Sequence, residues 1–350
     1  MAKVAVLLSG GVDSSAAAAL LMVQGHEVFG VHLKLTSNCD EADERDARLV
    51  ADQLKLPYYV FDITADYQRL VALELIAGYA AGITPNPDVC CNREIKFGVV
   101  WERLQRLGAE AIATGHYARS ENGQLCTAAD TAKDQTYFLW AIERSILPFV
   151  HFPIGRYQKT EVRALAHQFG LPTAEKKDSQ GICFLGPISL RDYLGEFLPT
   201  RPGAILDLAG DTLGQHQGYQ FFTEGQRTGL AIADGRGPYY VVKRDPETNT
   251  ITVAPPGNPA LFSRAAILTN LNWLTDQPTE QLTVLSRCRY RQPLTAATYD
   301  PNTQTLTFEE PQRAIAIGQS AVLYLPRRSV AEAGERDLVL GGGVIGNRIP

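Results

Sequence analysis

Ser9-Gly10-Gly11-Val12-Asp13-Ser14-Ser15 joins an apolar stretch, Val4 to Leu8, to an alanine-rich one, and the reading of this junction decides the fold. Strand, glycine turn and helix in that order form a turn suited to phosphate. Adjacent glycines let the backbone come close to an anion, and the free amides and positive end of the following helix favour negative charge. Asp13 would repel bound phosphates unless it held a magnesium ion, directly or through water, and that is the role its type suggests. The plain alternative is a strand-turn-helix capped by Asp or Ser. The segment contains neither GxGxxG nor GxxxxGK[ST], which removes the dinucleotide and P-loop readings.

The string resembles the nucleotide loop of the ATP-pyrophosphatases. The resemblance implies that ATP is cleaved between its α and β phosphates and that AMP is placed on a substrate oxygen.

Working outward, apolar strands are expected at Val4 to Leu8, Val28 to Leu33, Tyr58 to Phe61 and Ala111 to Ala113. Helices are expected at about Asp13 to Gln24, Glu41 to Leu54, Asp66 to Ala81 and Arg93 to Leu107. This alternation predicts an α/β fold with a doubly wound parallel sheet, whose nucleotide site lies at the carboxyl ends of the strands. Both Ser9–Ser15 and Thr114-Gly115-His116-Tyr117 follow such ends. Beyond residue 120 the rhythm breaks into a hairpin around Glu121-Asn122-Gly123 and helical pieces near Thr160 to Phe169 and Leu190 to Phe197. Two proline-rich linkers, Leu198-Pro199-Thr200-Arg201-Pro202-Gly203 and Pro255-Pro256-Gly257-Asn258-Pro259, mark boundaries. The expected domains are a catalytic unit at 1–200, a small β-rich unit at 201–258 and a C-terminal barrel of about six strands at 259–350.

Composition agrees with a globular protein: 350 residues, 45% apolar, suffice for two or three domains. No apolar run reaches the roughly 18 residues of a membrane helix and the N-terminus has no signal-peptide pattern, so cytoplasmic residence without a membrane partner is expected. The net charge of -5 conceals an asymmetry. Residues 1–150 hold 13 basic and 19 acidic side chains, whereas the other 200 hold 20 and 19. An anionic partner therefore sits more easily on the second half. Arg287-Cys288-Arg289-Tyr290-Arg291, read as a strand, would line up three guanidiniums about 6.8 Å apart as a phosphate rail, or simply form a solvated charged face.

The six cysteines, at 39, 90, 91, 126, 183 and 288, contain no CxxC pair, so neither a zinc knuckle nor a thioredoxin-like motif is expected, and no metal-ligating residue set is assigned. Cys91 draws attention because Asn92 is a candidate cap for a helix starting at Arg93, which would put the sulfur just before a helix N-terminus and favour the thiolate. Upstream, Thr84-Pro85-Asn86-Pro87-Asp88 is stiffened by two prolines and holds Asp88 near that thiol, where an acid can move a proton. Cys183 lies in the polar loop Lys176-Lys177-Asp178-Ser179-Gln180-Gly181-Ile182-Cys183-Phe184, where lysines favour the thiolate. Cys90 reads as a small buried hydrophobe, and Cys39, Cys126 and Cys288 as structural.

These pieces together closely resemble the tRNA-specific 2-thiouridylases. The matching segments are SGGVDSS at 9–15, TPNPDVCCNREIKFG at 84–98, ATGHYAR at 113–119, KDQTYFL at 133–139, KKDSQGICF at 176–184, RYRQ at 289–292 and GQSAVLY at 318–324, spread over nearly the whole chain. The resemblance implies an adenine-nucleotide alpha-hydrolase domain that uses ATP and Mg2+ to adenylate O2 of the wobble uridine, followed by replacement of that oxygen with persulfide sulfur to give 2-thiouridine. Its partners would be tRNA and a sulfur-donor protein carrying a persulfide. By position, Cys183 corresponds to the persulfide carrier, Cys91 to the partner nucleophile and Asp88 to the general acid/base. Leu7, Leu8, Ser9, Gly10, Gly11, Val12, Asp13, Ser14, Leu33 and Gly115 correspond to ATP contacts. Asn86, Pro87, Asp88, His116, Lys133, Asp134, Gln135, Tyr290, Arg291 and Gln319 correspond to tRNA contacts. The chain departs from the family in having Cys90, a vicinal thiol, before the nucleophile, and Leu33 where many members carry methionine. Two rivals remain at this stage: another ATP-pyrophosphatase whose adenylated substrate is attacked by an amine, and a tRNA-binding protein without catalysis.

Overall fold

A computed structural model describes residues 1–36, 41–177, 188–327 and 336–350. Cys39, Cys183 and most of the loop around Cys183 lie outside the described residues. The first domain is built on five parallel strands, β1 (Lys3–Leu7), β2 (Glu27–Lys34), β3 (Tyr58–Asp62), β4 (Ala111–Ala113) and β7 (Val150–His151), in the order β3-β2-β1-β4-β7. The chain leaves β1 towards β2 on one side and later returns to β4 on the other. That reversal opens a crevice beyond the carboxyl end of β1, where a ligand binds in sheets of this kind. Residues 4–8 are buried on both faces, as a parallel strand requires. The alanines at 16–19 let helix Val12–Val23 lie close to the sheet and to helix Lys159–Gln168.

The expected strands and helices are present, with informative shifts. The stretch 64–80 is helical throughout but carries a wide π turn at Gln68–Ala72. The helix expected from Arg93 starts six residues earlier, at Pro87, and runs through a π-helical segment, Cys91–Val99, into Val100–Arg106. Its N-cap is Asn86, whose Oδ1 accepts the Val89 amide at 3.3 Å, with Pro87 as the first helical residue. Asn followed by Pro is the stronger start signal, since proline has no amide to satisfy and a φ already suited to a helix. Asn92 is buried within the helix and caps nothing; its Nδ2 donates to the Phe138 carbonyl at 2.9 Å.

Strands β5 (Arg119–Glu121) and β6 (Gln124–Cys126) form the expected hairpin. The central module is a four-stranded sheet, β8 (Gly203–Leu206), β9 (Thr212–His216), β10 (Tyr240–Asp245) and β11 (Thr250–Ala254), over Ile205, Phe222, Val241, Ile251 and Val253. The C-terminal module is the expected six-stranded barrel. It comprises β12 (Phe262–Trp273), β13 (Leu282–Arg287), β14 (Thr295–Asp300), β15 (Thr305–Arg313), β16 (Ser320–Arg327) and β17 (Arg336–Ile349). Pairing of β12 with β17 closes it, and the hairpin's β6 adds to β17 from outside. The arginine-rich segment is not a strand. β13 ends at Arg287, and the Gln292 amide donates to the Arg289 carbonyl to form a turn in which Arg291 has φ +65°. The three guanidiniums consequently point to different places, and Arg287 turns inward.

Barrel and first domain share one core, in which Tyr137, Leu139 and Trp140 meet Leu274, Val322, Tyr324 and Val339. Within it, Arg287 Nη1 lies 3.3 Å from Asp134 Oδ1, both side chains nearly inaccessible. Asp134 also accepts the Thr136 hydroxyl at 2.6 Å and the Ala128 amide at 2.8 Å. Burial raises its pKa, and these hydrogen bonds with the Arg287 charge oppose that rise. Among the described residues no helix is long and apolar enough to cross a membrane. Removing one partner leaves a buried charge unmatched, so Asp134→Ala should destabilise the fold by about 3–5 kcal/mol. Urea unfolding followed through the tryptophans Trp140 and Trp273 measures it, and a shift under about 1 kcal/mol would show that water reaches the site.

Candidate active site

The nucleotide loop departs from β1 with Gly10 at φ +75°, and a Cβ there would stand 2.3 Å from the Asp43 carbonyl oxygen. Only glycine fits. Gly11 is the N-cap of helix Val12–Val23 and gives it no side-chain cap, so the first amides of that helix lack the partner a Ser or Asp cap would provide. Hydroxyls brace the turn instead. Ser14 Oγ accepts the Ser9 amide at 3.2 Å and donates to the Gly11 carbonyl at 3.1 Å, and Ser15 Oγ donates to the same carbonyl at 2.8 Å. From the neighbouring strand end, Gly115 lies so near the helix start that a Cβ would stand 2.6 Å from the Ser14 amide nitrogen. Leu7 and Leu8 are buried beneath the loop, and Leu33 is half-buried at the end of β2. A cradle kept open by two glycines, above an uncapped helix start, fits a polyphosphate.

Asp13 faces two donors. Lys159 Nζ lies 2.8 and 2.9 Å from its carboxylate oxygens, and the Tyr117 hydroxyl donates to Oδ1 at 2.9 Å. No sequence signal had marked Lys159, which reaches Asp13 across 146 residues. Among the described residues no group of three or more His, Cys, Asp or Glu side chains is placed to hold a metal ion. Asp13 by itself is one carboxylate, so a cation here would be held largely by phosphate oxygens.

The residues expected to touch RNA divide into two sets. His116 lies in the strand-end loop and Gln135 bonds to it, with Lys133 and Asp134 preceding Gln135 in the chain. Gln135 is joined to Tyr117 in both directions, its Oε1 accepting the Tyr117 amide and its own amide donating to the Tyr117 carbonyl. His116 Nδ1 is 2.8 Å from Thr114 Oγ1, with Phe97 and Phe152 beside its ring. Burial, and secondarily the charge of Lys96, hold its pKa well below the ordinary value. Asp134 is enclosed in the domain interface described above.

Asn86, Pro87, Tyr290 and Gln319 line a cavity of about 640 Å³ at the junction of all three domains. Tyr137 and Phe138 complete an aromatic wall, with the Phe138 and Tyr290 rings 4.4 Å apart. The opposite side carries Arg227 and Arg289, both exposed. Arg291 lies over the Tyr290 ring at 5.6 Å. Arg313 lies 4.0 Å from the Tyr240 ring, and hydrogen bonds from Arg313 and then Arg227 lower that phenol's pKa. Cys288 also borders the cavity, but burial pushes its thiol up to about 12.

The helix starting at Asn86 explains how two adjacent cysteines differ. Asp88 and Cys91 are three residues apart and share a face, about 5–6 Å between their Cβ atoms. Cys90 points elsewhere, donating to the Leu70 carbonyl at 3.2 Å and to Glu74 Oε2 at 3.3 Å. Burial and then the Glu74 charge raise its pKa far above that of an ordinary thiol. Cys91 is buried behind the first helical turn and does not itself border the cavity. The loop bearing Cys183 leaves the described structure after Lys177, one residue beyond Lys176, whose ammonium is paired with Asp43 and Asp46 near Gly10. It re-enters before helix Leu190–Gly195, which packs on Leu75 and Tyr79.

A parallel α/β domain with a glycine cradle suited to phosphate, followed by two β modules that enclose an aromatic cavity with it, defines a nucleotide-binding α/β protein. Residues 2–187 match the family model described as a tRNA methyl transferase HUP domain, 191–255 its PRC-barrel domain, and 263–345 an aminomethyltransferase beta-barrel domain. The tRNA-specific 2-thiouridylase MnmA of Alkaliphilus oremlandii (strain OhILAs) is 41% identical over 92% of this chain and 93% of its own length. That of Polynucleobacter asymbioticus (strain DSM 18221 / CIP 109841 / QLW-P1DMWA-1) is 42% identical over 98% and 95%, and that of Marinomonas sp. (strain MWYL1) 40% over 98% and 90%. The chain belongs to the tRNA-specific 2-thiouridylase family.

The contrast between the vicinal thiols gives a direct expectation. In the folded protein at pH 8, iodoacetamide should leave Cys90 unmodified, because a thiol held protonated is a poor nucleophile. Peptide mass spectrometry reads the outcome, and alkylation of Cys90 as fast as that of the denatured chain would refute the assignment.

Proposed function

We propose that this protein makes 2-thiouridine in tRNA by adenylating O2 of the wobble uridine and delivering sulfur from a cysteine persulfide. The observation that carries the reading is the three-domain cavity, where the Asn86–Cys91 helix start meets an aromatic wall and unpaired arginines. A base removed from its stack is held on such a wall. ATP supplies the adenylyl group that turns a poor leaving oxygen into AMP.

The chain's own residues would do the rest. Ser9, Gly10, Gly11 and the amides of Val12, Asp13 and Ser14 would hold the phosphates, with Gly115 closing the cradle and Leu7, Leu8 and Leu33 lining the apolar side. Asp13 would exchange its contact with Lys159 for a share of a phosphate-bound magnesium ion. Asp88 would move the proton, on the same helical face as Cys91. Cys183 would carry the persulfide received from a donor protein. After its terminal sulfur bonds to C2 and AMP leaves, Cys91 would attack the Cys183 sulfur. That step breaks the S–S bond, leaves sulfur on the base and forms a Cys91–Cys183 disulfide for an external thiol to reduce. Asn86, Pro87, Tyr290, Arg291 and Gln319 would receive the base and its neighbours, and His116, Lys133, Asp134 and Gln135 would form or support the surface towards the nucleotide.

The charge pattern supports RNA in this position. Among the described residues no carboxylate lies within ion-pair distance of Arg227, Arg289, Arg291 or Arg313, whereas Arg103, Arg144, Arg244 and Arg287 are each paired with one. Unpaired guanidiniums beside an aromatic cavity suit phosphates and bases together. Arg227→Ala, Arg289→Ala and Arg313→Ala should each weaken tRNA binding and lower the salt slope by about one. Filter binding between low and moderate salt measures this, and unchanged slopes for all three would place the RNA elsewhere.

The decisive assay is thiouridine formation on unmodified tRNA with ATP and a persulfide source. Wild type and Cys90→Ser should be active, and Cys91→Ser and Cys183→Ser inactive. Full turnover by both inactive-class variants would exclude thiol chemistry and favour an amine-using relative. Failure of the wild type to consume ATP would favour RNA binding alone.

A further inference from the structure

Thr84 and Pro85 immediately precede the Asn86 cap, and the two C-terminal domains hold nearly every polar atom of this pair. The Thr84 amide donates to the Ile317 carbonyl at 2.9 Å. Gln319 Nε2 donates to the Thr84 carbonyl at 3.1 Å and to the Pro85 carbonyl at 3.3 Å. The Thr84 hydroxyl accepts from Arg244 Nη2 at 2.7 Å. Ile317 and Gln319 belong to the barrel, and Arg244 lies on β10 of the central sheet. Packing is equally close, since a Cβ on Gly318 would stand 2.9 Å from the Thr84 carbonyl oxygen, and one on Gly78 2.2 Å from Pro85 Cγ.

Arg244 is itself fixed. Its side chain is inaccessible, with Nη2 3.1 Å from Glu224 Oε2 and Nη1 2.9 Å from the Phe222 carbonyl. A buried ion pair of this kind contributes little net stability once desolvation is counted, yet it fixes geometry, because a guanidinium fork offers its donors in set directions. Here one prong of the fork grips Glu224 within the central domain and the hydroxyl of Thr84 in the first. Thr84 is 4% exposed.

We infer that Arg244 is a positioning residue for the thiolation reaction: acting through the Thr84 hydroxyl, it sets the Asn86–Cys91 helix start against the cavity, so that the chemistry requires the central domain to be docked. Arg244 reaches neither the cavity nor Cys91. Its effect passes through two residues of backbone already fixed by Pro85, Pro87 and the Gln319 bridge. Asp88 and Cys91 lie in the first turns of the helix that Asn86 caps, so a tilt at the cap displaces both. The inference rests on the reading of this helix as the reactive one.

The test compares Thr84→Val, which keeps shape and removes the acceptor, with Thr84→Ser, which keeps the hydroxyl. Multiple-turnover thiolation with saturating ATP and tRNA and a persulfide source is the readout, alongside KM for ATP and the thermal midpoint. Thr84→Val should lower kcat by about 10-fold or more, within what misplacement of a reacting group by about an ångström costs. KM for ATP should stay at the wild-type value, the midpoint should fall modestly because a buried guanidinium donor loses its acceptor, and Thr84→Ser should recover most of the rate. Arg244→Lys, which keeps the charge facing Glu224 but not the fork, should show the same kcat loss. The double variant Arg244→Lys/Thr84→Val should be no slower than the worse single variant, as expected for two residues in one contact. A Thr84→Val enzyme as fast as wild type, a loss that Thr84→Ser does not rescue, or additive losses in the double variant would overturn the inference. An inactive wild type would overturn the functional reading itself.

Discussion

The contact on which the site depends is the one made by Asp13. A carboxylate one residue into a helix whose first amides await an anion would oppose that anion by charge. Lys159 and Tyr117 give it two donors and make the arrangement stable without a nucleotide. The Tyr117 link leads further. Tyr117 is joined to Gln135, the adjacent Asp134 is joined to Arg287, and Arg287 ends a strand of the barrel. The acid at the nucleotide loop is therefore linked, through the side chain and backbone of Tyr117, Gln135 and one further peptide step, to the seam between the first and last domains. Buried polar networks of this sort gain from completeness: each member is satisfied only while the others stay in place.

Much of this was legible in the sequence because it is local. A strand, a glycine pair and an alanine helix are read from neighbours, and the parallel sheet, the Asn122-Gly123 hairpin and the six-stranded barrel followed from periodicity and turn residues. The two errors also have local causes. Asn92 and Asn86 both look like caps, and what separates them is whether Pro87–Cys91 is already helical, which is settled by packing of Val89 and Cys90 against Val71 and Glu74. The alternation of Arg287, Arg289 and Arg291 looks like a strand, but the buried Asp134 takes the first guanidinium inward and the chain turns immediately after it. Lys159 and Arg244 had no signal at all. Each is an ordinary basic residue whose meaning comes from a partner well over a hundred positions away.

The adjacent cysteines illustrate how a helix assigns chemistry by angle. Consecutive residues are rotated by about 100°, so Cys90 and Cys91 cannot share an environment. Cys90 faces Glu74 and becomes a hydrogen-bond donor, whereas Cys91 shares a face with Asp88. A vicinal pair that would compete in a flexible loop is thus separated by the cap that Asn86 and Pro87 impose. The earlier helix start, contrary to the expectation from Arg93, is what makes this separation possible.

Charge distribution closes the argument. The chain is acidic overall, and its acid excess lies in the first 150 residues. An RNA approaching that half alone would be repelled at long range, while the exposed arginines at 227, 289, 291 and 313 all belong to the other half and border or adjoin the cavity. The exposed positive charge beside the cavity thus lies on the central module and the barrel, the same two domains that grip Thr84 and Pro85. The exposed guanidiniums and the contacts that hold the residues before the Asn86 cap belong to the same two domains. Under the proposed function, a tRNA held by these modules would lie beside the Asn86 cap that they anchor.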